Sequence, residues 1–177
     1  MTNNGTQVVT VITNVANEKL NSPIITKWWY LQWKKILAEF VSTLLLIFLG
    51  CMTCMPLSGF SVQPPMYAPI GFGMVVLFNI TAFGHISGAH MNPSVTLTAV
   101  IWGKMSVLLG IGYVIAQCLG AIVGYGLLVM VSPFDLITNA VCATQPHIGQ
   151  EPYQALLVEI ILSASLGFIN CAVLGPS

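Results

Sequence analysis

The segment GHISGAHMNPSVTLTAVIWGK, residues 84–104, decides the fold of this chain. It is apolar but short: a helix from Asn92 to Trp102 would rise roughly 16 Å, half of a hydrocarbon core of about 30 Å. Asn92 is a favoured N-cap residue, and Pro93 is favoured at the first helical position because its missing N–H would have no partner there. The sequence therefore predicts a half-helix over 92–102.

Small residues precede this half-helix and allow the chain to turn back tightly. Gly84, Ser87, Gly88 and Ala89 fit a re-entrant loop, which dips into the bilayer and returns to the same side. Irregular backbone at membrane depth is tolerated only where protein buries it or where it lines a water-filled cavity. The loop is therefore the first indication of a mechanism.

The composition places the rest of the chain in lipid. Of the 177 residues, 56% are hydrophobic and 6% are charged, which is too little charge for a water-soluble surface. Four apolar stretches are long enough to span a bilayer as helices: 36–55, 67–87, 107–131 and 153–174. The formal net charge of zero argues against a nucleic-acid partner, which would need a basic face.

The distribution of the lysines predicts how these spans are oriented in the membrane. All five basic residues are lysines, and they fall before the first span or beside the half-helix: Lys19, Lys27, Lys34, Lys35 and Lys104. With four spans these two regions share one face, which the positive-inside rule makes cytoplasmic. The predicted organisation is a cytoplasmic tail (1–35), a first repeat (36–132), an extracellular loop (133–152) and one further helix (153–177).

The first and last spans resemble each other. LAEFVSTLLLIFLGC (37–51) aligns with LVEIILSASLGFINC (157–171), so that Glu39 meets Glu159 and Cys51 meets Cys171. Three spans separate the copies, counting the first, and an odd number inverts the second copy in the membrane. The matching Asn-Pro pair is expected about 120 residues after Asn92, beyond Ser177. The predicted fold is therefore an inverted-repeat bundle, truncated to four spans and one re-entrant half-helix.

The motif SGAHMNPSVT, with the glutamate of AEFVSTLLLIFLG and the glutamine of IAQCLGAIVG, resembles the first repeat of the aquaporins, the major intrinsic protein family. The resemblance covers residues from about 34 to 174. It implies an aquaporin-like membrane bundle that assembles as a homotetramer in the plasma membrane. It also implies a channel for water or small neutral solutes, without catalytic residues, metal or cofactor.

The resemblance assigns pore residues to two places. Asn92, Pro93 and Ser94 occupy the Asn-Pro-Ala motif, with serine replacing alanine, and His90 matches a histidine on the cytoplasmic side of the pore. Phe72, in the sequence GFG, matches an aromatic residue of the extracellular constriction and implies a narrow pore that favours water.

Three polar residues match buried positions of the family: Glu39, Gln117 and Glu159. The resemblance implies that the two glutamates bind the backbone of the re-entrant loops. A second interpretation of Glu39 is an interfacial ion pair with Lys35, four residues earlier. Gln117 has a second interpretation too, as an ordinary hydrogen bond between helices, and Glu159 lies close to a predicted membrane edge.

The cysteines and glycines have simpler interpretations. Cys51-Met-Thr-Cys54 has CxxC spacing but lies in an apolar helix without flanking ligands, so a hydrophobic role is favoured over a redox or zinc site. Small residues four apart indicate close helix packing. They are Ala116, Gly120 and Gly124, and also Gly84 and Gly88.

Two functions from different classes stay open at this point. The first is a water channel, with glycerol or urea as alternative solutes. The second is a non-conducting form that assembles with a full-length channel or regulates it. We also expect poor stability of the chain alone, because Glu39, Glu159 and the half-helix tip would lack partners from the second repeat.

Overall fold

Five α-helices are present between residues 24 and 174 of the part of the chain that the structure describes. A computed structural model describes residues 10, 24–55, 66–133, 135–138, 140–146 and 149–174, and within these ranges there is no β-strand. The helices are α1 (Ile24–Met52), α2 (Tyr67–Ser87), α3 (Pro93–Ile101), α4 (Val107–Val131) and α5 (Pro152–Leu174). Four of them are long and apolar enough to cross a membrane, and α3 is the short one. The predicted fold class is confirmed.

Helix α1 differs from the predicted span at both ends. It was expected over 36–55, but it begins at Ile24 and ends at Met52, where Thr53 and Cys54 form a turn back onto Gly50 and Cys51. Residues 24–35 contain no glycine or proline, so the helix continues beyond the apolar run that identifies the span. Most of the predicted tail, residues 1–9 and 11–23, lies outside the described residues.

Helix α3 is the predicted half-helix. Asn92 has extended backbone angles (φ −149°, ψ 127°), and its side-chain oxygen accepts a hydrogen bond from the Ser94 N–H at 2.8 Å. Pro93 occupies the first helical position, and the helix has nine residues. It packs against α4 and α5. The local signals of the sequence therefore fix both where this helix starts and how it is capped.

Helix α4 approaches α1 closely through two glycines. A Cβ atom on Gly124 would lie 2.5 Å from the Leu44 carbonyl oxygen, and one on Gly120 would collide with the Phe40 carbonyl. Only glycine permits such contact, because both obstacles are backbone atoms that side-chain movement cannot relieve. The predicted close packing is present here, whereas a Cβ on Gly84 would meet only Ile80 of its own helix.

Helices α1 and α2 meet at the last turn of α1, the end of this helix that is far from the re-entrant loop. The Phe72 ring lies on Gly50, where a Cβ would be 2.6 Å from the ring, and Gly71 lies against the Thr53 side chain. The Thr53 hydroxyl donates to the Gly50 carbonyl at 2.6 Å. Phe72 is therefore held by the last turn of α1.

Helix α5 is mostly exposed among the described residues. The side chain of Glu159, which was predicted to bind a second re-entrant loop, is exposed here as well. The close contact of α5 with α3 is at Gly167, where a Cβ would lie 3.2 Å from the Thr98 hydroxyl. Glu159 is two turns away, about 12 Å along the axis, and none of the described helices covers it.

Candidate functional site

The carboxylate of Glu39 lies at the centre of a buried polar cluster below the half-helix. Its Oε1 accepts hydrogen bonds from the Ser87 hydroxyl at 2.7 Å and the His90 N–H at 2.9 Å. Its Oε2 accepts from the Met91 N–H at 2.9 Å and the Gln117 amide at 2.8 Å. Four donors occupy the lone-pair sites of a carboxylate, and the side chain is 0% exposed.

These bonds distinguish the two interpretations of Glu39. Within the described chain the carboxylate contacts the re-entrant loop and α4 rather than Lys35. Glu39 was expected to lack several partners from the second repeat, but the described residues alone supply it with four donors. All four of its donors come from residues before position 118, so the first repeat completes this cluster by itself.

The loop between α2 and α3 pairs four successive backbone donors, those of Gly88 to Met91. Gly88 donates to the Gly84 carbonyl at 3.0 Å, and Ala89 donates to the Ser87 hydroxyl at 3.1 Å. His90 and Met91 donate to Glu39. A buried N–H group without a partner is costly, so four successive satisfied amides explain how irregular backbone persists here.

The same loop contains strained backbone. Ala89 and Met91 have left-handed angles (φ 47° and 52°), as does Gly88 (φ 92°). For residues with a Cβ this conformation costs on the order of 1 kcal/mol each, and it persists only where the surroundings enforce it. Two of the Glu39 bonds fall on His90 and Met91, so the carboxylate holds the chain in the shape that places Asn92 at the helix start.

A second layer of side chains fixes this arrangement. The Gln117 amide also donates to the Thr96 hydroxyl at 2.9 Å, and the Tyr113 hydroxyl donates to the Ser87 carbonyl at 2.8 Å. Tyr113 and Gln117 are each 1% exposed. Helix α4 therefore binds both the loop and the half-helix.

Asn92 keeps donors for a further partner. Its side-chain oxygen accepts a hydrogen bond from the Ser94 N–H. The two N–H groups of its amide have no acceptor among the described residues and can therefore bind a further partner. Asn92 is half-buried, while Pro93 and Ser94 are exposed. The start of the half-helix therefore presents amide donors on an accessible surface.

The ring of His90 lies beside this start. It makes an edge contact with Tyr113 (centroids 5.4 Å apart, planes at 71°), and its Nδ1 lies 3.2 Å from the Thr96 hydroxyl. Thr96 donates to the Asn92 carbonyl at 3.2 Å and accepts from Gln117. The Thr96 hydroxyl has one hydrogen, which it donates to the Asn92 carbonyl, so it can only accept a hydrogen bond from His90. We therefore assign the His90 proton to Nδ1, which leaves Nε2 as an acceptor.

Phe72 lies apart from the cluster. Fifteen residues of α2 separate it from Ser87, which is about 22 Å along the helix. The predicted site residues therefore form two groups. Asn92, His90, Glu39 and Gln117 come together at the half-helix, Phe72 lies towards the other end of α1, and Glu159 belongs to neither.

The sequence analysis did not predict three residues of the cluster: Ser87, Thr96 and Tyr113. Spacing offered a signal for two of them. Tyr113 is one turn before Gln117, and Thr96 is one turn after Asn92, so each shares a helix face with a recognised polar residue. Ser87 was noted only as a small residue of the turn.

Comparison with known proteins identifies the family. The model of the family described as "Major intrinsic protein" matches residues 26–177, most of the chain. The chain belongs to the major intrinsic protein family. Its curated relatives include Aquaporin-4 of Mus musculus, 35% identical over 144 residues, which are 80% of this chain and 44% of that protein.

Two further relatives agree with the family match. Aquaporin-4 of Homo sapiens is 33% identical over 144 residues, covering 80% of this chain and 44% of that protein. The Lens fiber major intrinsic protein of Ovis aries is 37% identical over 139 residues, covering 78% and 51%. The chain spans about half the length of the curated relatives it matches. With its four long apolar helices, this major intrinsic protein is an integral membrane protein.

Proposed function

We propose that the protein is a passive channel for water, and that the start of α3 lines its pore. The observation that carries this proposal is the half-helix start itself. Glu39 holds the preceding loop by two backbone bonds, and Asn92 presents free amide donors at an accessible position. Membership of the major intrinsic protein family supports the same conclusion.

The chemistry of this start suits water. Each Asn92 N–H donor can bind the oxygen of a passing water molecule, and the His90 Nε2 acceptor can receive one of its hydrogens. The α3 dipole has its positive end at Asn92, which opposes cations and protons in the pore. The site therefore favours a neutral molecule that both donates and accepts hydrogen bonds.

Phe72 is proposed to narrow the pore near the other face. Its ring is half-buried against Gly50, so it is held in place rather than free to swing. A fixed aromatic ring favours water over the larger solutes glycerol and urea. Pro93 and Ser94 complete the pore lining, since both are exposed beside Asn92.

We propose a homotetramer in the plasma membrane with a cytoplasmic N-terminus. The distribution of the lysines supports the orientation. Labelling of intact cells tests the orientation: a cysteine added at the N-terminus should not react with a thiol reagent that cannot cross the membrane. Chemical cross-linking in membranes tests the assembly, and a ladder that stops at four subunits is the expected result.

Stopped-flow light scattering tests the transport function. Proteoliposomes containing the product of the complete coding sequence should shrink faster than empty liposomes under an osmotic gradient, while glycerol and urea uptake should match the empty control. Equal water permeability with and without protein would refute the channel. Rapid glycerol uptake would instead refute the selectivity attributed to Phe72.

The exposure of α5 supports a second candidate, assembly with another channel chain. None of the apolar span of α5 is buried among the described residues, so this surface is available to further helices. Co-expression with a full-length channel of the same family should then change the permeability or the subunit composition of that channel. Unchanged values for both would exclude this role.

A further inference from the structure

Three cysteines lie near the end of α1 that is opposite the re-entrant loop. Cys51 is in the last turn of α1 and Cys54 is in the turn that follows, whereas Cys142 belongs to the connection between α4 and α5. Cys142 and Cys51 line the same cavity, and Val141, the residue before Cys142, packs against the hydrophobic cluster that contains Cys51. The thiols of Cys51 and Cys54 are close enough to influence the pKa of Cys142. All three are free cysteines. The fold thus adds a distant third thiol to the CxxC spacing.

The connection is anchored where it carries Cys142. Leu136 is 1% exposed and packs with Cys51 and Leu128 in one hydrophobic cluster. The Tyr125 hydroxyl binds the Val141 and Leu136 carbonyls at 3.2 and 3.4 Å. These contacts hold Val141, the residue before Cys142, against α4, so the packing of the loop brings Cys142 close to the end of α1.

Cys142 and Cys51 differ in accessibility. Cys142 is exposed, whereas Cys51 is buried, and both line one open cavity of about 810 Å³ between α1, α4 and the loop. A small thiol reagent can therefore reach Cys142 first. Among the described residues no group of three or more metal-ligating side chains is arranged to hold an ion.

We propose that Cys142 and Cys51 form an intrachain disulfide that ties the loop to the end of α1. This rests on the proposed topology, which places both residues on the extracellular side, where disulfides persist. The oxidant is a small disulfide of the oxidised-glutathione class. Cys142 loses its proton and attacks one sulfur of the oxidant, releasing one thiol. Cys51 then loses its proton and attacks the Cys142 sulfur, releasing the second thiol.

The disulfide has a consequence for the proposed constriction. Cys51 directly follows Gly50, on which the Phe72 ring rests. A bond from Cys51 to the loop restrains the last turn of α1 and therefore the support of this ring. Oxidation should thus stabilise the constriction without touching the Glu39 cluster.

The reaction should be slow at neutral pH. Partial burial, followed by the contact with Cys51, raises the pKa of the Cys142 thiol well above its usual range. The thiolate is the attacking species, so the assay should run for hours at pH 8. Protein in liposomes is treated with oxidised glutathione, denatured, and labelled with a maleimide carrying a polyethylene glycol chain, which counts free thiols on a gel.

The expected result is the loss of two labelled thiols out of five in the wild type. Cys142→Ser should keep all its remaining thiols, and Cys51→Ser should lose one, because the mixed disulfide of Cys142 with glutathione is then not resolved. Cys54→Ser and the control Cys118→Ser should still lose two. Mass spectrometry should find one peptide pair joined through residues 51 and 142. No loss of label in a folded wild type, a bond through Cys54, or a bond between chains would each overturn the proposal, and none depends on conduction.

Discussion

Replacing Glu39 by glutamine tests the polar cluster with the smallest change in shape. An amide has one oxygen and one NH₂ group, whereas the carboxylate accepts four hydrogen bonds here. If the amide oxygen of the new glutamine takes the place of Oε2, it still accepts from Met91 and Gln117, but its NH₂ group then faces the His90 N–H, and two donors oppose each other. If the amide is turned the other way, the NH₂ group faces the Met91 N–H instead.

The magnitude follows from this count. The Ser87 hydroxyl can rotate and the Gln117 amide can flip, because its own oxygen is buried without a partner among the described residues. A backbone N–H cannot adjust, so one orphaned buried donor remains in either orientation. We expect Glu39→Gln to lower the free energy of unfolding by about 1–3 kcal/mol. Glu39→Ala orphans both amides and should cost roughly twice as much.

Glu159→Gln is the matched control, because Glu159 aligns with Glu39 in the repeat but is exposed. It should change the free energy of unfolding by less than about 0.5 kcal/mol. Denaturant unfolding in lipid-detergent micelles measures all three variants. Hydrogen exchange at His90 and Met91 should accelerate in Glu39→Gln alone. Equal stability of Glu39→Gln and Glu159→Gln would refute the assignment of Glu39 as the support of the loop.

Three further predictions concern other parts of the chain. Gly124→Ala should lower the free energy of unfolding by at least about 1–3 kcal/mol through a clash with backbone, while Gly126→Ala, with open space around it, should not; denaturant unfolding compares them. Asn79→Leu should raise the free energy of unfolding by about 1 kcal/mol, because the amide oxygen of Asn79 is buried without a partner in the described structure. A lower free energy of unfolding in this variant would refute the prediction. Hydrogen bonds from Thr138 lower the pKa of Asp135, so the stability they contribute is present at neutral pH and is lost as the pH falls through the lowered pKa. NMR titration should show a higher Asp135 pKa in Thr138→Val.

The half-helix was predictable because its signals are local. Asn92 and Pro93 specify a cap and a first helical position, and the short apolar run after them limits the length. The close packing of α4 was also predictable, since small residues four apart at Gly120 and Gly124 describe one helix face. These features need no knowledge of what the chain meets in space.

Other features depend on contacts between distant segments. The start of α1 was misplaced because apolarity marks the membrane, whereas a helix extends until something breaks it. Glu159 matches Glu39 in sequence, but a match alone does not specify contacts: Glu39 has four donors, whereas Glu159 is exposed among the described residues. The meeting of Cys142 with Cys51 has no local signal at all, because 90 residues separate them along the chain.

The most direct test of the proposed pore is the osmotic water permeability of Asn92→Asp. Aspartate keeps an oxygen to cap the Ser94 N–H, but it removes both amide donors, so the fold should be retained. At equal protein density in liposomes, the loss of a hydrogen bond of 0.5–1.5 kcal/mol corresponds to a decrease of roughly two- to tenfold. Unchanged permeability in Asn92→Asp, measured beside an active wild type, would contradict a pore lined by the start of α3.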